Sequence, residues 1–344
     1  MSRPSKPLTL SRIEDLTLGS FAFVPTSETI DHLVRYLSTW SGSDKLFMII
    51  QYAVKLVIPF LQFRARLQHR AGTRSSAHSG AAESLTKVYN LIGDARMFFR
   101  IWGKYRLLPI IQWLTSIERN RPPTRRLLTL ERLQGWSMLA YYPLEHLYYL
   151  LAHGIIPSEI PKPSVSALLP FTKSKPSEKR IPLDINALGI WSCRFWALYV
   201  ALQFAHLRED RKLLQMRERD INKSKVRTAT AVEKEELHKR WDAFWSEVVV
   251  NVGYLPLTIH WSLEKGLFNN DIWVGVFGLL AGLASWRSGW KATALPQPPA
   301  ETPRPLSDQD VLPEPAEPVP YDATMDPDVV APLVILDLSG SANA

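Results

Sequence analysis

Apolar side chains crowd one stretch above all others, Asp44–Arg70, DKLFMIIQYAVKLVIPFLQFRARLQHR, and its few polar residues recur at helical spacing. At about 100° per residue, Asp44, Met48, Gln51, Lys55, Pro59, Gln62 and Arg66 fall within a stripe roughly 80° wide. Leu46, Phe47, Ile49, Ile50, Val54, Leu56, Val57, Ile58, Phe60, Leu61 and Phe63 take the rest of the circumference. The pattern predicts a helix with a thin polar seam.

Three environments suit such a helix. A core helix of a soluble bundle normally confines its apolar stripe to one side, which this one does not. A transmembrane span from Leu46 to Phe63 is just long enough at ~1.5 Å per residue, but puts Lys55 near mid-bilayer at a cost of roughly 2.5–3.5 kcal/mol. The favoured reading lays the helix in the membrane interface. Leu46, Phe47, Ile49, Ile50, Val54, Val57, Ile58, Leu61 and Phe63 are then expected to insert among acyl chains, and Lys45, Lys55, Arg64 and Arg66 to reach anionic headgroups. Pro59 frees the carbonyl of Lys55, which lies on the seam where water can satisfy it.

Around this stretch the chain divides into five parts. Residues 1–27 are a polar, proline-bearing lead-in. Residues 28–156 form an N-terminal helical half. Here Thr26 or Ser27 is placed to cap a first helix through Ile30, Leu33, Val34 and Leu37. Ser41-Gly42-Ser43 is expected to break the chain, so that the central helix starts at a serine cap, and Ala71–Ala82 reads as a small-residue link. Leu85–Trp102 follows, with Val88, Leu91, Ile92, Ala95, Phe98 and Phe99 on one side and Gly103 as its stop. Leu107–Ile117 is apolar with Pro109 inside. Arg126–His153 reads as one long helix or a pair broken at Pro143; Glu145 and His146 argue against a span there and for packing in protein or at the interface.

Residues 157–182 carry six prolines and five basic side chains and read as an exposed linker. The C-terminal half, 183–291, opens with an aromatic helix, Asn186–Leu207, running into the charged extension Arg208–Lys225. Glu233–Val250 and the apolar Val252–Leu263 lead to Asp271–Trp290, the expected membrane anchor at about residues 267–290. Its uncharged run covers only ~22 Å against a hydrocarbon core of ~30 Å. Gly278 and Gly282, one turn apart, are expected to support helix–helix association between copies; the alternative is packing against another helix of the same chain. Residues 292–344 hold eleven of the 26 prolines and read as a disordered acidic tail.

A resemblance rests on three dispersed blocks. Asp44-Lys45-x-x-x-x-Ile50-Gln51-Tyr52-x-x-Lys55, followed by an apolar run and a basic end, resembles the opening amphipathic helix of the peroxin-eleven family, peroxisomal membrane proteins that elongate and divide peroxisomes. Asp94-Ala95-Arg96-x-Phe98-x-Arg100-x-x-Gly103-Lys104 is similar to its second block, and Gly154-Ile155-Ile156 sits where the family has a glycine-containing exit. Arg194-Phe195-Trp196-x-x-Tyr199 leading to Arg208-Glu209-Asp210 resembles the third. The linker and acidic tail depart from the compact pattern and suit a divergent, fungal-type branch. The resemblance implies the peroxisomal membrane as location, homo-oligomers and paralogues as partners, and fission machinery, a dynamin-related GTPase and its adaptor. The first residues show no signal-peptide core and the last four no tripeptide address, so the expected route to the peroxisome runs through its membrane.

Charge and chemistry refine this picture. The net charge is +8, but residues 292–344 hold nine acidic residues and one basic, so residues 1–291 carry +16. Such a field suits an anionic phospholipid membrane; no nucleic-acid module accompanies it, and no nucleic-acid partner is expected. Cys193 is alone, which excludes an internal disulfide. The eight histidines are scattered, and no phosphate loop, serine elbow or cysteine nucleophile context appears, so no cofactor, metal or catalysis is expected. The fold class is all-α, a membrane-associated bundle of amphipathic and apolar helices. The leading function is remodelling of the peroxisomal membrane, promoting fission and proliferation by helix insertion and self-association. A multispanning transporter and a soluble helical adaptor are the alternatives.

Overall fold

The computed structural model describes residue 9 and residues 17–19, 24–102, 107–161, 180–223 and 229–295. Expectations for most of the lead-in, the Gly103-Lys104 stop, the middle of the linker and the tail from residue 296 lie outside the described residues.

Helices dominate, as the patterning predicts: α1 Glu28–Ser38, α2 Trp40–Arg70, α3 Gly80–Trp102, α4 Leu107–Arg119, α5 Arg125–Ala152, α6 Ile185–Lys223, α7 Ala229–Ser262 and α8 Ile272–Ala292. Strands β1 (Glu159–Pro161) and β2 (Arg180–Pro182) pair antiparallel and zip together the two ends of the linker.

Ser41-Gly42-Ser43 does not break the chain. Thr39 caps α2 instead, its Oγ1 accepting from the Gly42 N–H at 3.0 Å. Gly42 is needed at this corner because a side chain there would strike the Tyr36 carbonyl. Thr124 caps α5 in the same way, accepting from Leu127 N–H at 3.2 Å. Pro59, Pro143 and Pro256 all lie inside helices. So α5 runs unbroken through Pro143, and the segments either side of Asn251 are one helix, α7.

The helices pack as a ring. α5 lies along α6, α6 along α7, α7 along α8, α8 along α2 and α2 along α3; α3 meets α5 at a narrow seam that closes it. The two halves of the chain therefore interlock through α5–α6 and α2–α8. α4 rests on α5, and α1 reaches the far end of α8, His32 stacking on Trp290 with ring centres 3.8 Å apart. Met48, Tyr52, Met138, Tyr142, Tyr254 and Leu257 fill the middle, with Trp196 and Trp261 stacked at 5.7 Å.

Large apolar side chains cover the outside as well. Every helix exposes at least one: Val34, Phe60, Leu91, Leu108, Trp136, Leu198, Trp245 and Leu283. Exposed apolar side chains in this number suit contact with a membrane or a partner. α2 and α6 are long and apolar enough to cross a membrane. α8, expected as the best anchor, is not one of these two.

Candidate membrane interface

The polar seam of α2 faces the protein. Asp44 is 2% exposed, Gln51 1% and Lys45 0%, whereas Phe47 is 46% exposed and Phe60 62%. α3 is turned the same way. Its Val88, Leu91, Phe98 and Phe99, which share one side, are exposed, while Tyr89, Arg96, Met97 and Arg100 are buried.

Charge inside the bundle is matched side chain by side chain. Arg96 of α3 donates from Nε to Asp44 Oδ1 at 2.8 Å, from Nη2 to Asp44 Oδ2 at 3.3 Å and from Nη1 to Gln51 Oε1 at 2.7 Å. Its planar fork thus takes both oxygens of one carboxylate and an amide oxygen besides. One turn on, Arg100 Nη1 donates to Glu145 Oε1 of α5 at 3.3 Å, and the Tyr141 hydroxyl donates to the same oxygen. This is why Glu145 sits within the mostly apolar second half of α5. Lys55 Nζ bonds Asp271 Oδ2 at 3.0 Å and lies 4.9 Å from the centre of the Tyr89 ring. A buried charge is tolerated when it is paired and hydrogen-bonded, and these pairs let the interior carry arginines while the outside stays apolar.

The residues expected to insert into a membrane divide into two groups. Phe47, Ile50, Val57 and Phe63 face outward. Leu46, Ile49, Val54, Ile58 and Leu61 are half-buried, with Val54 and Ile58 packed on the core. Phe60 and the exposed apolar residues of α3 extend the outward group. Of the cations expected at headgroups, Arg64 and Arg66 are exposed. Lys45 is buried, and the Lys55 side chain is 14% exposed and tied to Asp271, so neither lies where a headgroup contact was expected. From Asp44 to Gln51 the seam is polar because it faces Arg96 of α3, whereas Gln62 and Arg66 farther along it are exposed.

Gly278 and Gly282 form a seam with α2 of the same chain, the alternative to a contact between copies. A side chain at Gly278 would strike the Tyr52 ring, one at Gly275 would meet Leu56 at 2.7 Å, and one at Gly282 would press Ile49 at 3.3 Å. The small-residue face is filled by α2, and α8 turns Val276, Leu280 and Leu283 outward instead.

Polar chemistry gathers at the end of the bundle where α6 leaves its apolar half. There His206 Nδ1 lies 2.7 Å from Asp210 Oδ2, and its Nε2 3.5 Å from Glu131 Oε1 of α5. Burial opposes the charged ring, but hydrogen bonds to the two carboxylates outweigh it and lift the pKa to about 9. Arg132 grips Glu118 of α4 with two bonds of 2.6 Å, which hold that exposed carboxyl below its ordinary range. Among the described residues no group of three His, Cys, Asp or Glu side chains is placed to hold a metal ion.

A family model described as Peroxisomal biogenesis factor 11 (PEX11) matches residues 30–168, which begin in α1 and run past β1. No curated protein and no solved structure matches the chain.

Proposed function

We propose, from the match of residues 30–168 to the peroxisomal biogenesis factor 11 model, that the chain is a peroxisomal membrane protein of the peroxin-eleven family that acts in peroxisome proliferation, and that its α2 and α3 remodel the membrane as a wedge. The observation that carries this reading is the inverted hairpin: arginines within, phenylalanines without. Phe47, Ile50, Val57, Phe60 and Phe63 of α2 and Leu91, Phe98 and Phe99 of α3 form one apolar surface, broad and rigid because the paired charges lock the helices beneath it. Burying a large apolar side chain is worth about 1.5–3 kcal/mol, so such a surface favours insertion strongly. Seated in one leaflet it enlarges that leaflet relative to the other, and the bilayer bends. Arg64 and Arg66, at the exposed end of α2, supply the headgroup contacts. Self-association, with paralogues as further partners, and recruitment of a dynamin-related GTPase through its adaptor belong to the same proposal. The charged ends of α6 and α7 are the surface that remains for them.

A transporter reading draws on the same buried charges. The middle of the ring is filled by Tyr52, Tyr142 and Trp196, which favours the wedge. The test uses the full chain on anionic liposomes. Phe47→Glu with Ile50→Glu puts two carboxylates on the outward face without touching the inner pairs. The double variant is expected to keep its helicity, lose flotation with liposomes and cease to tubulate them. Tubulation at the wild-type level by this variant sinks the proposal.

A further inference from the structure

α7 and α8 part on their outer side to leave a groove of about 290 Å³. That is close to the lower end of the volumes that hold small ligands. Its composition is graded along its length. Asp242 and Arg287 lie at one end, Trp245, Ser246, Ala284 and Leu283 line the next turn, and Val249 and Leu280 the far end. From Asp242 to Val249 is about 10 Å along a helix axis. A polar mouth above an apolar trough has the profile of an amphiphile.

The charges at the mouth decide the sign of what it takes. Lys291 Nζ is 2.7 Å from Asp242 Oδ2, so that pair is internally balanced. Arg287 is exposed and has no carboxylate within ion-pair distance among the described residues. The mouth therefore carries one positive charge over. Trp245 lines the groove beside this mouth and is exposed, and tryptophan beside lysine or arginine marks headgroup depth in membrane helices. We propose that this groove seats the first part of one acyl chain of an anionic phospholipid, with the net negative charge of its headgroup against Arg287 and the Ser246 hydroxyl beside it. The proposal rests on the reading of the chain as a membrane protein, and it assigns to α7 and α8 a lipid site separate from the wedge of α2 and α3.

The test reconstitutes the full chain with phosphatidylserine that carries a photoactivatable group in its acyl chain, and maps the crosslinks by mass spectrometry. Labelling is expected on α7 and α8 around Val249 and Leu280. Arg287→Gln, a surface change that leaves the packing alone, should lower that labelling about tenfold, the worth of a charged hydrogen bond. Ala284→Phe should abolish it by filling the trough, and the phosphatidylcholine analogue should label the site several-fold less. Equal labelling of wild type and Arg287→Gln, equal labelling by the two lipids, or label confined to α2 and α3 overturns the proposal. Flotation with liposomes is followed in parallel: a wild-type chain that does not float refutes the membrane reading itself, whereas one that floats without labelling the groove refutes only this site.

Discussion

Arg96 shows what a buried charge does for a fold of this kind. Its bond to Asp44 links residues 52 apart in sequence, on helices that otherwise meet through aromatic and apolar side chains. A pair of this sort adds little over two well-packed apolar residues, but losing one partner strands the other charge in a dry place. Arg96→Ala is therefore expected to cost about 3–5 kcal/mol, read as a fall in the thermal midpoint of the helical signal in detergent. Asp44→Leu combined with Arg96→Met should cost less than either single change, and a strictly additive loss would contradict the argument. His206 sets a second expectation at this scale. Its folded pKa of about 9 lies above the ordinary value for an exposed histidine. The α5–α6 clamp that it forms is thus at full strength below about pH 6.5 and weakens as the pH rises through 9. Thermal midpoints measured from pH 6 to pH 10 should fall across that window in the wild type, by an amount consistent with about 1.5–3 kcal/mol for charged hydrogen bonds, and the fall should shrink in His206→Gln.

Among the elements, α8 shows how a spacing can be read correctly and its partner missed. Glycines one turn apart announce a close approach of backbones, yet nothing in α8 says that the ring arriving there is Tyr52, more than two hundred residues earlier. Gly278→Ile is accordingly expected to dislodge α8 from α2 and lower the unfolding midpoint by more than 10 °C, instead of thinning out dimers in a stable chain; an unchanged midpoint with fewer crosslinked dimers would restore the intermolecular reading. The helical periodicity of α2 was legible, as were the charged second half of α6 and the all-α class. The orientation of α3 was not. An apolar arc at Val88, Leu91, Phe98 and Phe99 marks a face that avoids water, and periodicity alone does not distinguish a protein core from a bilayer. The signal that does is the opposite face: Arg96 and Arg100, one turn apart, match Asp44 and Glu145 on other helices in number and sign. The start of α2 was misplaced because Ser41 and Ser43 look like caps while Thr39 performs that role, and the division drawn at residue 251 falls inside one helix that packs against α6 and α8.

For the molecule as a whole, an apolar exterior on every helix predicts where its tryptophans meet lipid. Variants that retain one tryptophan at a time, in vesicles with brominated acyl chains, should show strong quenching of Trp245 and Trp273, both more than half exposed, and little for Trp196, which is 0% exposed. Equal quenching of all three would mean that the ring does not hold together in the bilayer. The ring also has a consequence in time. α2 finds its matching surface on α8, and the bond from Lys55 to Asp271 spans 216 residues. At roughly 5–20 residues per second, a ribosome releases α2 some 10–40 s before the helix that receives it exists. Through that interval Met48, Ile49, Tyr52 and Leu56, the side chains that α8 comes to cover, lack that partner, so the nascent chain depends on an escort until its own C-terminal helix emerges to take the escort's place on that face.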